Sequence, residues 1–225
     1  MHKIITLSFM LLASSLYGDE SICYGTTSNG RLENGVQLPM SGENFTNYSM
    51  VGVLSGRTYV HSKIRDIVTA AYKSLEVSMP NRVYKYAETG HKEGGSLYPH
   101  KTHQNGLSVD FMVPVKNEAG ISVHLPTNAL NKFGYGIEFD SKGHYGEYTI
   151  DYEAMAAHIV SLHKEAKRAG VKIWRVIFDP KLQKYLFATK QGDYLKRNIN
   201  FSKKRAWVRH DEHYHVDFIV PCRKL

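Results

Sequence analysis

Histidine is the side chain best suited to binding a metal or moving a proton near neutral pH, and this chain of 225 residues carries twelve. Five of them fall into two short runs. The first is Pro99-His100-Lys101-Thr102-His103-Gln104-Asn105-Gly106-Leu107-Ser108-Val109-Asp110, and the second is His210-Asp211-Glu212-His213-Tyr214-His215. A hydrolytic zinc site needs three protein ligands, drawn from neutral imidazole and ionised carboxylate, with the fourth position left for water. The metal draws the pKa of that water toward about 7 and polarises the carbonyl under attack. On a strand, residues two apart share a face, so His213 and His215 point the same way; one can bind metal while the other meets substrate. In the first run a loop holding His103 turns at Gly106, where the missing Cβ permits a tight bend, into a strand that presents Asp110. A lone His-x-His is more often a surface or core pair than a site. The two runs together supply what each lacks.

The pattern of a histidine, six intervening residues, an aspartate and a later histidine-x-histidine resembles the lysostaphin/D-Ala-D-Ala metallopeptidase superfamily; here it is His103, Asp110, and His213 with His215. Within it the chain is most similar to the penicillin-insensitive murein endopeptidase family, which adds a histidine three before the first ligand and another three before the pair. His100 and His210 fill those positions. Looser likeness extends to Asn29-Gly30, Leu38-Pro39 and Val176-Ile177-Phe178-Asp179-Pro180. The resemblance implies one zinc ion per chain held by His103, Asp110 and His215, with His213 as base or transition-state partner and His100 and His210 lining the site.

Two residues complicate this assignment. Glu212 stands three before His215, a Glu-x-x-His spacing that dipeptidases of the same superfamily use with the glutamate as base. In a regular strand Glu212 points away from His213 and His215, which favours His213; a bulge would reverse that order. Lys101 occupies a position, two before the first ligand, where many superfamily members have serine.

The elements that must position these groups are partly legible. Ile64, Ile67, Val68, Ala71 and Leu75 recur at helical spacing before Pro80. Met155, Ile159, Leu162 and Ala166 predict a second helix capped by Asp151, with Lys164, Lys167 and Arg168 near its negative end and Gly170 as its stop. Val83–Tyr86, Leu107–Val113, Val171–Phe178 and His213–Val220 read as strands, with Val109, Phe111 and Val113 opposite Ser108, Asp110 and Met112. Asp179-Pro180 opens a short helix. Residues 19–58, rich in Gly, Asn and Ser, read as loops, and residues 116–150 as an irregular segment with one strand near Tyr135–Phe139. Strands and helices do not alternate regularly, so the expected class is α+β: a central antiparallel sheet with helices packed on it and long irregular surface segments.

Residues 1–18 read as a secretion signal: Lys3, an apolar run from Ile4 to Leu12, then small residues, with cleavage after Ser15 or Gly18. Residues 19–225 then form a single metallopeptidase domain. Export would place Cys23 and Cys222, the only two cysteines, where they can pair. Removing residues 1–18 takes away Lys3 alone and lowers the net charge from +8 to +7. A basic exported protein meets acidic cell wall and anionic lipid rather than nucleic acid, and no helix-turn-helix, RNA-binding signature or zinc finger is present. Lys203-Lys204-Arg205 and Arg209 read as a solvated basic loop able to attract stem-peptide carboxylates.

The function implied by the resemblance is hydrolysis of peptidoglycan cross-links, either D-alanyl–diaminopimelate or diaminopimelate–diaminopimelate, in the periplasm or after secretion. The same ligands would serve a D,D- or L,D-carboxypeptidase that trims stem peptides, or a wall-binding protein that keeps zinc without turnover. Wall growth, clearance for an envelope-spanning machine and attack on a rival's wall would all employ this one centre.

Overall fold

The computed structural model describes residues 20–204, 206 and 208–225; the secretion signal expected over residues 1–18, and Arg205, lie outside the described residues. The chain opens with β1 (Ile22–Thr26), β2 (Asn29–Glu33), β3 (Val36–Gln37), β4 (Phe45–Asn47), the short α1 (Met50–Leu54) and β5 (Tyr59–Val60). Helix α2 (Ser62–Ser78) leads to β6 (Tyr84–Tyr86) and β7 (Ser108–Met112). A small antiparallel sheet follows, built from β8 (Val115–Lys116), β9 (Ser122–Val123), β10 (His144–Tyr145) and β11 (Tyr148–Ile150), with a 3-10 segment at Ala129–Gly134 between β9 and β10. Then come α3 (Tyr152–Arg168), β12 (Lys172–Ile177), α4 (Gln183–Phe187), α5 (Gly192–Asn198) and β13 (His213–Ile219).

The central sheet has the order β12-β13-β7-β6-β4 and is antiparallel except for the parallel pairing of β4 with β6. Its decisive pair is β13 on β7. The register sets His215 opposite Asp110, His213 opposite Met112 and Asp217 opposite Ser108. Because side chains alternate across a strand, these residues share one face. Phe111 and Tyr214 occupy the other, where their rings stack 5.4 Å apart.

Helices α2 and α3 cover that second face. Ile64, Ile67, Val68, Ala71, Tyr72 and Leu75 form the buried stripe of α2. Helix α3 buries Met155, Ile159, Leu162 and Ala166 as its periodicity requires, together with His158 and Ser161. The Ser161 hydroxyl donates to the Ala71 carbonyl (3.1 Å) and ties the two helices together. Asp151 caps α3 by accepting from the Ala154 N–H, and Lys167 and Arg168 sit in its last turn. The α+β expectation therefore holds, with one parallel pair at the β4 edge.

Two local readings are corrected. Residues 19–58 are not only loops: β1 and β2 form a hairpin, β3 pairs with β5, and β4 extends the central sheet. Strands of two to five residues are too short to display period-two alternation. No strand forms at Tyr135–Phe139; the 3-10 segment ends there, with Gly134 at φ +103°. The residues of this stretch are pinned one at a time instead. The Tyr135 hydroxyl reaches Asp110, and the Phe139 N–H donates to Asp211.

Cys23 and Cys222 are joined in a disulfide. Backbone hydrogen bonds between Gly25 and Arg223 and between Arg223 and Cys23, both 2.9 Å, continue the same clamp.

Candidate metal centre

Asp110 lies at the middle of the histidines. It is fully buried on β7, and its Oδ1 is 2.8 Å from His215 Nδ1 and 3.3 Å from His103 Nε2. Its Oδ2 accepts from the Tyr135 hydroxyl (3.0 Å) and faces His100 Nδ1 and His213 Nε2, each at 3.8 Å. Burial opposes ionisation of this carboxyl, but the surrounding rings of His103 and His213 hold it well below the usual carboxylate range. It is an anion among nitrogen donors.

His103 reaches Asp110 through an unusual backbone. The residue adopts φ +70°, and the chain then bends at Gly106, φ +75°, where a Cβ would lie 2.7 Å from the His61 nitrogen. The turn expected at Gly106 is therefore required by contact as well as by conformation. The ring of His103 has no exposure, and its Nδ1–H donates to the Thr89 carbonyl at 3.0 Å. A carbonyl can only accept, so the proton is on Nδ1 and Nε2 presents a lone pair. That Nε2 is buried and has no hydrogen-bond partner. Burial also depresses the pKa of the ring, which keeps it neutral.

The same face of β13 supplies His215. Its Nε2 is 2.8 Å from Asp217 Oδ1, and Asp217 in turn accepts from the Ser108 hydroxyl (2.6 Å) and from Arg175 Nε (2.7 Å). Burial disfavours charge on this ring, but Asp217 and Asp110 on its two sides overcome that and raise its pKa to about 10; the Nδ1 proton held toward Asp110 is the one that a metal ion would displace. Asp217 thus fixes the ring so that Nδ1 points at Asp110. A carboxylate behind a ligating histidine commonly sets its orientation and basicity in this way.

The donor set fits a metal. His103 Nε2 and Asp110 Oδ1 are both electron-pair donors, 3.3 Å apart with no proton between them, an arrangement that calls for a cation. Two ligands on arms of about 2.0–2.1 Å at the tetrahedral angle stand roughly 3.3 Å apart. One ring nitrogen each from His100 and His103 and one oxygen of Asp110 also lie within 4.8 Å of one another. The expected trio of His103, Asp110 and His215 is thus brought together, and His100 lies closer to it than a residue merely lining the site.

His100 is held from behind. Its Nε2 donates to Glu88 Oε2 at 2.5 Å, while Glu88 Oε1 accepts from Tyr48 (3.0 Å) and is paired with Arg57. Burial works against the Glu88 charge, but His100 and Arg57 outweigh it and bring its pKa down to about 2. His213 has a comparable support: Nδ1 meets Glu212 Oε1 at 2.7 Å, which turns Nε2 toward Asp110. Burial pushes Glu212 up to about 9 and His213 down to about 4. The β13–β7 register shows no bulge from His213 onward, yet Glu212 does not point away from His213 as a regular strand would have it: its carboxyl reaches round to the Nδ1 side of that ring. The ring of His210 packs against that of His213 at 4.5 Å, tilted by 36°, and its Nδ1 donates to the Val208 carbonyl.

His100, Lys101, Thr102, Ile177, Val208 and His210 border a cleft of about 170 Å³ that reaches His213 and His215. Arg209 is not a free cation of a basic loop: it pairs with Glu138 (2.5 Å) and with Asp211. Sequence reasoning did not find Glu88, Arg57, Tyr48, Tyr135 or Asp217. Asp217 alone had a signal, since it continues the alternation of His213 and His215 on one face.

No curated protein matches the chain. A family model described as penicillin-insensitive murein endopeptidase matches residues 23–224, which include every side chain of the centre. The chain belongs to the penicillin-insensitive murein endopeptidase family.

Proposed function

We propose that the protein is a zinc-dependent endopeptidase of the cell envelope that hydrolyses cross-links between peptidoglycan stem peptides, either D-alanyl–diaminopimelate or diaminopimelate–diaminopimelate. His103, Asp110 and His215 hold the one zinc ion. The observation that carries this reading is the pair of unprotonated donors, His103 Nε2 and Asp110 Oδ1, 3.3 Å apart in a buried site. Family membership supplies the murein substrate, and the disulfide suits an oxidising compartment.

Zinc bound there would act as Lewis acid toward the scissile carbonyl and acidify the attacking water. The rest falls to the chain's own residues. His213, neutral and with Nε2 facing the centre, takes the proton from the attacking water and returns it to the leaving amine. Glu212 orients that ring from Nδ1 and is a positioning residue, not the base. His100, set by Glu88 and Arg57, borders the cleft where its Nδ1 can stabilise the carbonyl oxygen as it gains negative charge. Tyr135 holds the second oxygen of Asp110, which leaves Oδ1 for the metal. The ring of His210 packs against His213 and limits its rotation.

The test is digestion of isolated cross-linked peptidoglycan by the mature protein, with zinc and with chelator, and identification of fragments by mass spectrometry. Zinc-dependent loss of dimers with matching gain of monomers is expected, and the new ends name the bond. Loss of terminal residues with dimers intact would replace the proposal by a carboxypeptidase. An unchanged substrate with zinc-loaded protein would leave a wall-binding protein.

A further inference from the structure

A second groove, of about 490 Å³, lies at the far end of β13 from the histidines, between the β1–β2 turn and the edge strand β12. Its two exposed large side chains are Trp174 and Ile219, each with 47 % of its surface accessible, and Trp174 is the larger. The pairing of β12 with β13 shifts register between Ile173 and Arg175, so Trp174 sits at a bulge, a device that re-aims a side chain. The Arg175 guanidinium covers one face of the indole, 4.3 Å from its ring, and is itself anchored on buried Asp217. The indole is thereby held in place at the groove that it lines.

The remaining lining is neutral. Thr26, Thr27, Ser28 and Asn105 contribute hydroxyl and amide groups, Ile219 and its neighbours on β13 contribute apolar surface, and no described residue of the lining carries a charge. Asn105 is 1 % exposed, and its Oδ1 is buried with no hydrogen-bond partner. Among the described residues the Thr27 hydroxyl also makes no hydrogen bond, although Thr27 is 8 % exposed. An anchored aromatic face beside unsatisfied neutral polar groups suits a pyranose, whose axial C–H face is apolar and whose rim is hydroxyl and acetamide. The lining itself offers an acidic stem peptide no cation, and Arg175 beside Trp174 is already paired with Asp217.

We propose that this groove binds the glycan strand of the substrate, a β-linked chain of N-acetylated amino sugars. The inference rests on the peptidoglycan reading given above. Ile219 is four residues beyond His215 on β13, about 13 Å at roughly 3.3 Å per residue. A stem peptide of about four extended residues spans a similar distance. Sugar held at Trp174 therefore delivers its cross-link to the centre.

The experiment measures binding of peptide-free glycan strands, which carry no cross-link to cut, to the zinc-loaded mature chain by calorimetry. Wild-type protein binds, Trp174→Ala binds at least ten-fold more weakly, and Thr27→Val, which keeps the volume and removes only a hydroxyl, loses about three-fold. Trp174→Ala also cuts a sugar-free cross-linked peptide dimer at the wild-type rate while losing rate on intact sacculi. The proposal is overturned if wild-type protein binds no strands, if it binds sacculi but not peptide-free strands, or if both variants bind as wild type does. Should Trp174→Ala fail to fold, Thr27→Val carries the decision. Strand binding without cleavage of any cross-link would refute the peptidase alone, and cleavage without strand binding would refute the groove alone.

Discussion

The roles of His213 and Glu212 separate at the level of single atoms. If His213 moves the proton, His213→Ala lowers kcat on cross-linked muropeptide dimers by about 10²–10⁴-fold and leaves zinc content at one per chain. Glu212→Gln keeps a hydrogen-bonding group beside His213 Nδ1, so its loss is smaller, about 10–100-fold, as for other supporting contacts. A Glu212→Gln enzyme as inactive as His213→Ala would move the base to Glu212. His103→Ala removes a donor, not a proton carrier, and is expected to abolish both activity and metal, read by elemental analysis after dialysis. The histidines and the aspartate that the fold brings together were legible from sequence because they cluster within two short runs. Glu88 and Tyr135 were not, since nothing near them in the chain marks them. They join the site only because β6 ends beside β7 and the segment after β9 folds back over Asp110.

Among the elements, α3 carries an unused titratable group whose cost can be measured. His158 is fully buried against Tyr72 and Tyr214, its Nδ1 accepting from the Tyr214 hydroxyl. Burial alone pushes its pKa down to about 3 from an ordinary 6.5. The unfolded chain takes up this proton near pH 6.5 and the folded one only near 3. Stability from this group is therefore whole above pH 6.5 and declines as the pH falls toward 3, by about 4–5 kcal/mol at the limit. His158→Phe is expected to cost about 1–3 kcal/mol at pH 7 through the orphaned Tyr214 hydroxyl, yet to lose less than wild type between pH 7 and pH 5 in urea unfolding. An equal loss in both proteins would refute the assignment. The two 17-residue helices were readable because each repeats its apolar stripe over several turns. The strands of residues 22–60 were not, because two to five residues do not establish a period, and their partners lie elsewhere in the chain.

For the whole molecule, the Cys23–Cys222 bridge closes a loop of 199 residues. Chain entropy assigns such a closure roughly 5 kcal/mol at most. Cys222→Ser, or reduction of the wild type, is expected to lower the urea midpoint, and the unfolding free energy by an amount within that bound, with His103, Asp110 and His215 still together in the folded fraction. An unchanged midpoint would mean that the backbone bonds of Arg223 hold the clamp unaided. The placement of β13 has a different consequence, in the order of synthesis. It is the inner partner of both β7 and β12 and brings His213 and His215 to an aspartate made 105 residues earlier. A ribosome that has delivered His103 and Asp110 has delivered half a centre and a β7 edge still without its partner. The lytic machinery cannot assemble on a nascent chain or on a product truncated before residue 213, so such fragments are expected to be inert toward the wall of the cell that makes them.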